Sequence, residues 1–116
     1  MVERLTKLIL ILSLFSIATF AYSYTFQIKT QVVSVNTTAT KLPTTPLVGR
    51  AYVRVQNVGA ATVYIGNSTV TANTNTTSGG IQLFPYSIWE DAYDNSVDIY
   101  GIVATGTCNV TVEEGK

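Results

Sequence analysis

The feature that most constrains this chain is alternation. From residue 24 onward, apolar and polar residues trade places every second position, and turn residues interrupt the runs at short intervals. Tyr24, Phe26, Ile28 and Val32 share one parity, with Thr30 among them, while Thr25, Gln27, Lys29 and Gln31 take the other. Ala51, Val53 and Val55 alternate with Tyr52, Arg54 and Gln56, and Val63 and Ile65 alternate with Thr62 and Tyr64. Cys108, Val110 and Val112 alternate with Asn109, Thr111 and Glu113. Successive side chains of a strand point to opposite faces, so a period of two marks half-buried strands. Residues 97–104 are more continuously apolar and fit a central strand. No stretch after residue 24 shows helical spacing. Val53, Val55, Val63, Ile65, Val110 and Val112 are therefore the expected core, and Cys108 shares their inward parity.

Turn signals divide these runs. Residues 57–60 (Asn-Val-Gly-Ala) read as a hairpin loop between the strands at 52 and 63, Gly66-Asn67 ends the second strand, and Gly106 separates the last two. Residues 72–80 are a polar loop, and residues 36–49, with Pro43 and Pro46, form a Thr-rich connector without periodicity. A chain of 116 residues holds one domain. Six to eight short strands with closely spaced turns predict an all-β fold, a single antiparallel β-sandwich of jelly-roll or immunoglobulin-like type.

A different signal precedes the strands. Residues 1–7 carry Glu3, Arg4 and Lys7, residues 8–20 are apolar apart from Ser13, Ser16 and Thr19, and Ala21-Tyr22-Ser23 puts small residues at the −3 and −1 positions of a cut after Ser23. That is the layout of a secretory signal peptide, a short helix that is removed on export. The rival is an uncleaved anchor, since residues 8–26 carry no charge and just reach spanning length. The expected division is thus 1–23 signal peptide or membrane anchor, 24–35 N-terminal strand, 36–49 connector and 50–116 sandwich body. The expected location is secreted or cell-surface, with membrane contact only if the leader stays attached.

Composition narrows the chemistry. Seven basic and seven acidic residues balance, leaving no surplus for a nucleic-acid-binding face. Without histidine there is no His-based catalysis or His metal site, and one cysteine excludes an internal disulfide. No catalytic constellation is visible, so no enzyme activity and no cofactor are expected. The acidic residues are densest at Glu90, Asp91, Asp94 and Asp98. Asp91, Asp94 and Asp98 are candidate Ca²⁺ ligands, although no complete loop pattern accompanies them; a solvated acidic loop is the plainer reading. Tyr86, Trp89 and Tyr93 could stack on a glycan or serve a subunit contact. Asn36, Asn67, Asn75 and Asn109 each begin an N-x-Ser/Thr sequon, a candidate glycosylation site in an exported chain.

Residues 41–71 bring a resemblance into view. A Leu-Pro connector leads to Arg50, then to an apolar strand ending in Gln56-Asn57, then to Val63-Tyr64-Ile65-Gly66 and Ser68-Thr69-Val70-Thr71. Residues 99–115 (IYGIVATGTCNVTVEEG) add an aromatic-Gly-Ile strand followed by G-T-x-x-V-x-V. The arrangement resembles a module of small bacteriophage virion proteins, over about residues 35–114. The resemblance implies a small β-sandwich in a capsid, head-fibre or tail role. The leader departs from that family and points to an exported version.

Two functions follow as expectations. The first is a structural subunit of a surface assembly, a filament, virion shell or spike, whose partners are copies of itself. Tyr24, Phe26, Ile28 and Val32 would then be the polymerisation strand, donated to a neighbour's sheet edge across the 36–49 connector. The same strand could equally complete its own sandwich. The second is a monomeric surface module that holds a carbohydrate or other ligand through the Trp89–Tyr93 segment.

Overall fold

The computed structural model describes residues 26–116, so Tyr24 and the 1–23 leader lie outside the described residues. The described chain contains eight strands and no helix: β1 (Ile28–Val35), β2 (Thr40–Lys41), β3 (Tyr52–Asn57), β4 (Val63–Gly66), β5 (Ile81–Leu83), β6 (Ile88–Asp91), β7 (Tyr100–Val103) and β8 (Cys108–Gly115). They form two four-stranded antiparallel sheets, ordered β1-β8-β3-β6 and β2-β7-β4-β5. The winding is simple to state. The pairs β1/β8, β2/β7, β3/β6 and β4/β5 are all hydrogen-bonded, as in one long hairpin whose tip is the β4–β5 loop. That ribbon is folded over so that alternate pairs fall in opposite sheets, and β3/β8 and β4/β7 contacts close it.

The core lies between the sheets, where alternation expects it. Val53, Val55, Val63, Ile65, Val110 and Val112 are all buried, joined by Val33, Val35, Leu42, Leu83, Ile99, Val103 and Cys108. Burying each such side chain contributes roughly 1.5–3 kcal/mol. β7 is a central strand, flanked by β2 and β4, in keeping with the continuous apolar run of 97–104.

Residues 57–60 do not make the expected hairpin. β3 and β4 lie in different sheets, and the segment is an arch across the core. Asn57 is the reason. Its fully buried amide donates to Ala61 O (2.7 Å) and Leu83 O (2.9 Å), and its Oδ1 accepts from Gly59 N (2.9 Å) and the Cys108 thiol (3.1 Å). A buried amide needs its polar atoms satisfied, and here one side chain ties β3, the arch, β5 and β8 together.

The connector also differs from expectation. It is not a free tether: Thr40 and Lys41 pair with β7, Leu42 and Pro43 are buried, and Leu42 N donates to Ile99 O (2.7 Å). Apolar Leu42 draws the segment into the core, and its neighbours then find backbone partners. β1 in turn pairs with its own β8 over all eight residues, from Ile28↔Gly115 to Val35↔Cys108.

Candidate functional site

The two outer edges of the larger sheet are the most distinctive surfaces. Val33 and Val35 set the inward parity of β1, which leaves Phe26, Ile28 and Val32 on the outer face, 87%, 70% and 61% exposed. The expected apolar stripe exists, but it faces away from its own core. The inward positions nearer the strand's start are Lys29 and Gln31, and the docked connector covers them: Lys29 Nζ donates to Thr45 O (2.7 Å) and Gln31 Nε2 to Thr44 Oγ1 (2.9 Å). Among the described strands only β8 pairs with β1, so its second edge is open.

The opposite edge is β6, which pairs only with β3. Sequence alternation did not reveal β6; it is four residues long and bears two acids. Ile88 and Glu90 point outward beside Gln56 and Arg54, while Trp89 packs partly against the core. Ile81, Phe84 and Tyr86 are exposed nearby on β5 and the β5–β6 turn. Tyr86 occupies the third position of a turn closed by Ser87 N donating to Phe84 O (3.0 Å), with φ of 65°. That left-handed conformation favours Gly or Asn, so an aromatic there carries a local strain.

Trp89 therefore sits on a strand and Tyr93 on the loop that follows, their ring centroids 6.1 Å apart. Tyr86 does not join them. The two rings border a cleft of about 220 Å³ together with Ile65, Ile81, Val97 and Ile99, with Asn67 and Asp98 supplying polar groups.

Beneath this loop lies the group that holds it. Arg50 and Glu114 form a fully buried ion pair (NH1 to Oε2, 3.0 Å). The guanidinium also donates to the carbonyls of Tyr93 (2.9 Å), Asp94 (2.7 Å) and Val97 (2.7 Å), and Glu114 Oε2 accepts Leu47 N (3.0 Å). One arginine thus fixes the 93–97 backbone, β8 and the connector. The signal was present in the sequence: Cys108, Val110 and Val112 share parity with Glu114, and a carboxylate on an inward face needs a buried cation.

The acidic residues do not converge. Asp98 pairs with Lys41 (3.1 Å), Glu90 lies 3.7 Å from Arg54, and Asp91 Oδ1 accepts Ala92 N (2.8 Å). Asp94 accepts from Ser96 Oγ and N, and these hydrogen bonds hold its carboxyl below the usual range. Among the described residues no three acidic or other metal-ligating side chains are grouped to hold an ion, so Asp91, Asp94 and Asp98, the candidate Ca²⁺ ligands, are not gathered into one cluster. Each acid is spent on a separate local partner. All four sequon asparagines, Asn36, Asn67, Asn75 and Asn109, are exposed. Cys108 is a buried free thiol. Comparison with known proteins finds no matching family model and no matching curated protein.

Proposed function

We propose that the chain is an exported structural subunit, a small β-sandwich that joins copies of itself edge to edge in a surface assembly such as a filament, virion shell or spike. One observation carries this reading: β1 is an edge strand with an open ladder and a bare apolar stripe of Phe26, Ile28 and Val32. Exposed apolar edge strands are pairing sites, and monomers usually blunt them with charge, proline or a covering loop. β1 has a single charge, Lys29, on the inner side, and nothing charged on its outer face. The eight-strand double winding supports the same reading, since it is the jelly-roll arrangement used by capsid domains. The likeness of residues 41–71 and 99–115 to phage virion modules agrees with it. The leader supplies export, and the exposed sequons would carry glycans where the host adds them.

A second reading rests on the cleft beside Trp89 and Tyr93. Jelly rolls also serve as lectins, and a rigid aromatic pair at a cleft suits a sugar ring. A sedimentation series on the full chain separates the two. Assembly predicts a mass that rises with concentration and falls when Ile28 and Val32 are both changed to Thr. A monomer at every concentration, with fluorescence of the single tryptophan altered by simple glycosides, would replace the first reading with the second.

A further inference from the structure

Resting on the assembly reading, the geometry points to β6 of a second copy as the surface that receives β1, so that copies add head to tail into an open, extended sheet. Three observations lead there. First, direction: the sheet order β1-β8-β3-β6 is antiparallel throughout, so β1 and β6, at the two edges, run in opposite senses. A second copy displaced sideways, without being turned over, sets its β1 antiparallel to the first copy's β6 and continues the sheet. Second, register. The rows of the sheet run Val32–Thr111–Gln56–Ile88 on the outer face and Lys29–Glu114–Val53–Asp91 on the inner one. Repeating the sheet without sliding it along the strands places Val32 of the next copy beside Ile88, and Lys29 beside Asp91. An apolar pair and an opposite-charge pair meet in one register, and both are stabilising cross-strand combinations. Third, charge: β1 has one base and no acid, whereas β6 has two acids and no base.

The two-fold alternative, β1 against β1, also fits the backbone. It centres on Thr30 and sets Ile28 against Val32, but it places Lys29 opposite Gln31 and leaves Ile88 and Asp91 bare. A head-to-tail contact uses two different surfaces and does not close on itself unless its rotation completes a ring. Sheet twist of roughly 20–25° per strand would wind such a series into a helical filament.

A charge swap tests this contact. The full chain is kept in a mild non-ionic detergent, so that the apolar 8–20 run does not itself drive association. Lys29→Glu sets a carboxylate against Asp91 of the next copy, and Asp91→Lys sets an ammonium against Lys29. Each variant alone is expected to associate about tenfold more weakly than the parent at low salt. An equimolar mixture is expected to recover assembly, because every junction in an alternating series then avoids the pairing of like charges that each variant makes with itself at every junction. Matched melting curves confirm that each variant is folded. If Lys29→Glu unfolds, Asp91→Lys carries the test alone, since Asp91 is exposed. A parent chain that assembles while Asp91→Lys assembles equally well overturns the β1–β6 contact and leaves the assembly reading standing on β1 pairing with β1. A mixture no better than its components also overturns the contact. A parent chain that stays monomeric overturns both readings.

Discussion

β1 and β8 are neighbours of equal length, eight residues each, hydrogen-bonded along their whole extent, and their sequences relate to burial in opposite ways. In β8 the apolar parity is the buried one: Cys108, Val110 and Val112 face the core, and Asn109, Thr111 and Glu113 face out. In β1 the stripe of Phe26, Ile28 and Val32 faces out, and the inward side begins with Lys29 and Gln31 before Val33 and Val35 enter the core. A period of two establishes which residues share a face. Which face is inside depends on what lies across from it. β8 is central and covered, whereas the inward side chains of the first half of β1, Lys29 and Gln31, bond the connector at Thr45 and Thr44.

The sharpest way to break this contrast is to put a carboxylate on each side of it. Val110→Asp buries an unpaired charge at a fully enclosed position, and the cost, above about 4 kcal/mol, is comparable with the stability of a small domain. Val33→Asp is expected to cost nearly as much, while Val32→Asp, one residue away, stays within about 0.5 kcal/mol. Urea unfolding of the three variants reads the order directly. A Val32→Asp variant as damaged as Val33→Asp would mean that the outer stripe is covered within the subunit.

The next effect concerns the polar residues that both strands turn inward. β1 satisfies Lys29 and Gln31 with connector oxygens at a half-exposed margin, but β8 carries Glu114 into full burial and needs Arg50 to neutralise it. Arg50→Met strands that carboxylate and removes the donors to the 93–97 carbonyls, so a loss of about 3–5 kcal/mol is expected. Arg50→Lys should recover little, because an ammonium lacks the planar fork that reaches several acceptors at once. Denaturation midpoints for the two variants, with hydrogen exchange at residues 93–97, would check both points. An Arg50→Lys variant as stable as the parent would show that charge alone suffices.

The legible parts of the fold were those where local pattern and tertiary placement agree. Alternation located β3, β4 and β8 and the parity of their core residues, and the continuous apolar run of 97–104 located β7. It could not distinguish the Asn57 arch from a hairpin, because strands that pair and strands that face each other across a core alternate alike. β2 and β5 are two and three residues long, too short for a period to register, and β6 carries Asp91 on its inward parity, where an apolar residue would mark a buried position. The acidic cluster was dense in sequence only; Lys41, Arg54 and Ser96 draw its members apart. Trp89 and Tyr93 do meet, but the arginine that fixes their loop lies some forty positions upstream.

The arch supplies a smaller effect. A Cβ at Gly59 would run into the Cys108 sulfur, so Gly59→Ala forces β8 and the arch apart where Asn57 joins them. About 1–3 kcal/mol is expected from such overpacking. Pairing the change with Cys108→Ala frees the space and should restore part of the loss, which thermal melts would show. A Gly59→Ala variant melting with the parent would mean that the arch shifts freely and does not fix β8.

The smallest effect returns to adjacent residues of β1 and is the most informative about function. Val32→Thr keeps the β-branched shape and strand propensity and exchanges one methyl for a hydroxyl. At an outward position, 61% exposed, that hydroxyl stays hydrated, so subunit stability should change by less than about 0.5 kcal/mol. Val33→Thr makes the same exchange inside the core, where the hydroxyl loses its water, and about 1–3 kcal/mol is expected. Stability alone therefore ranks Val32 as dispensable. Self-association should rank it otherwise, because at a shared edge the same hydroxyl would be desolvated against the next copy. Measured together, unfolding and sedimentation should separate the two variants in opposite senses: Val33→Thr weakens the subunit, and Val32→Thr weakens the assembly. If Val32→Thr changes neither, the exposed stripe is an incidental feature of a sandwich whose core ends at Val33.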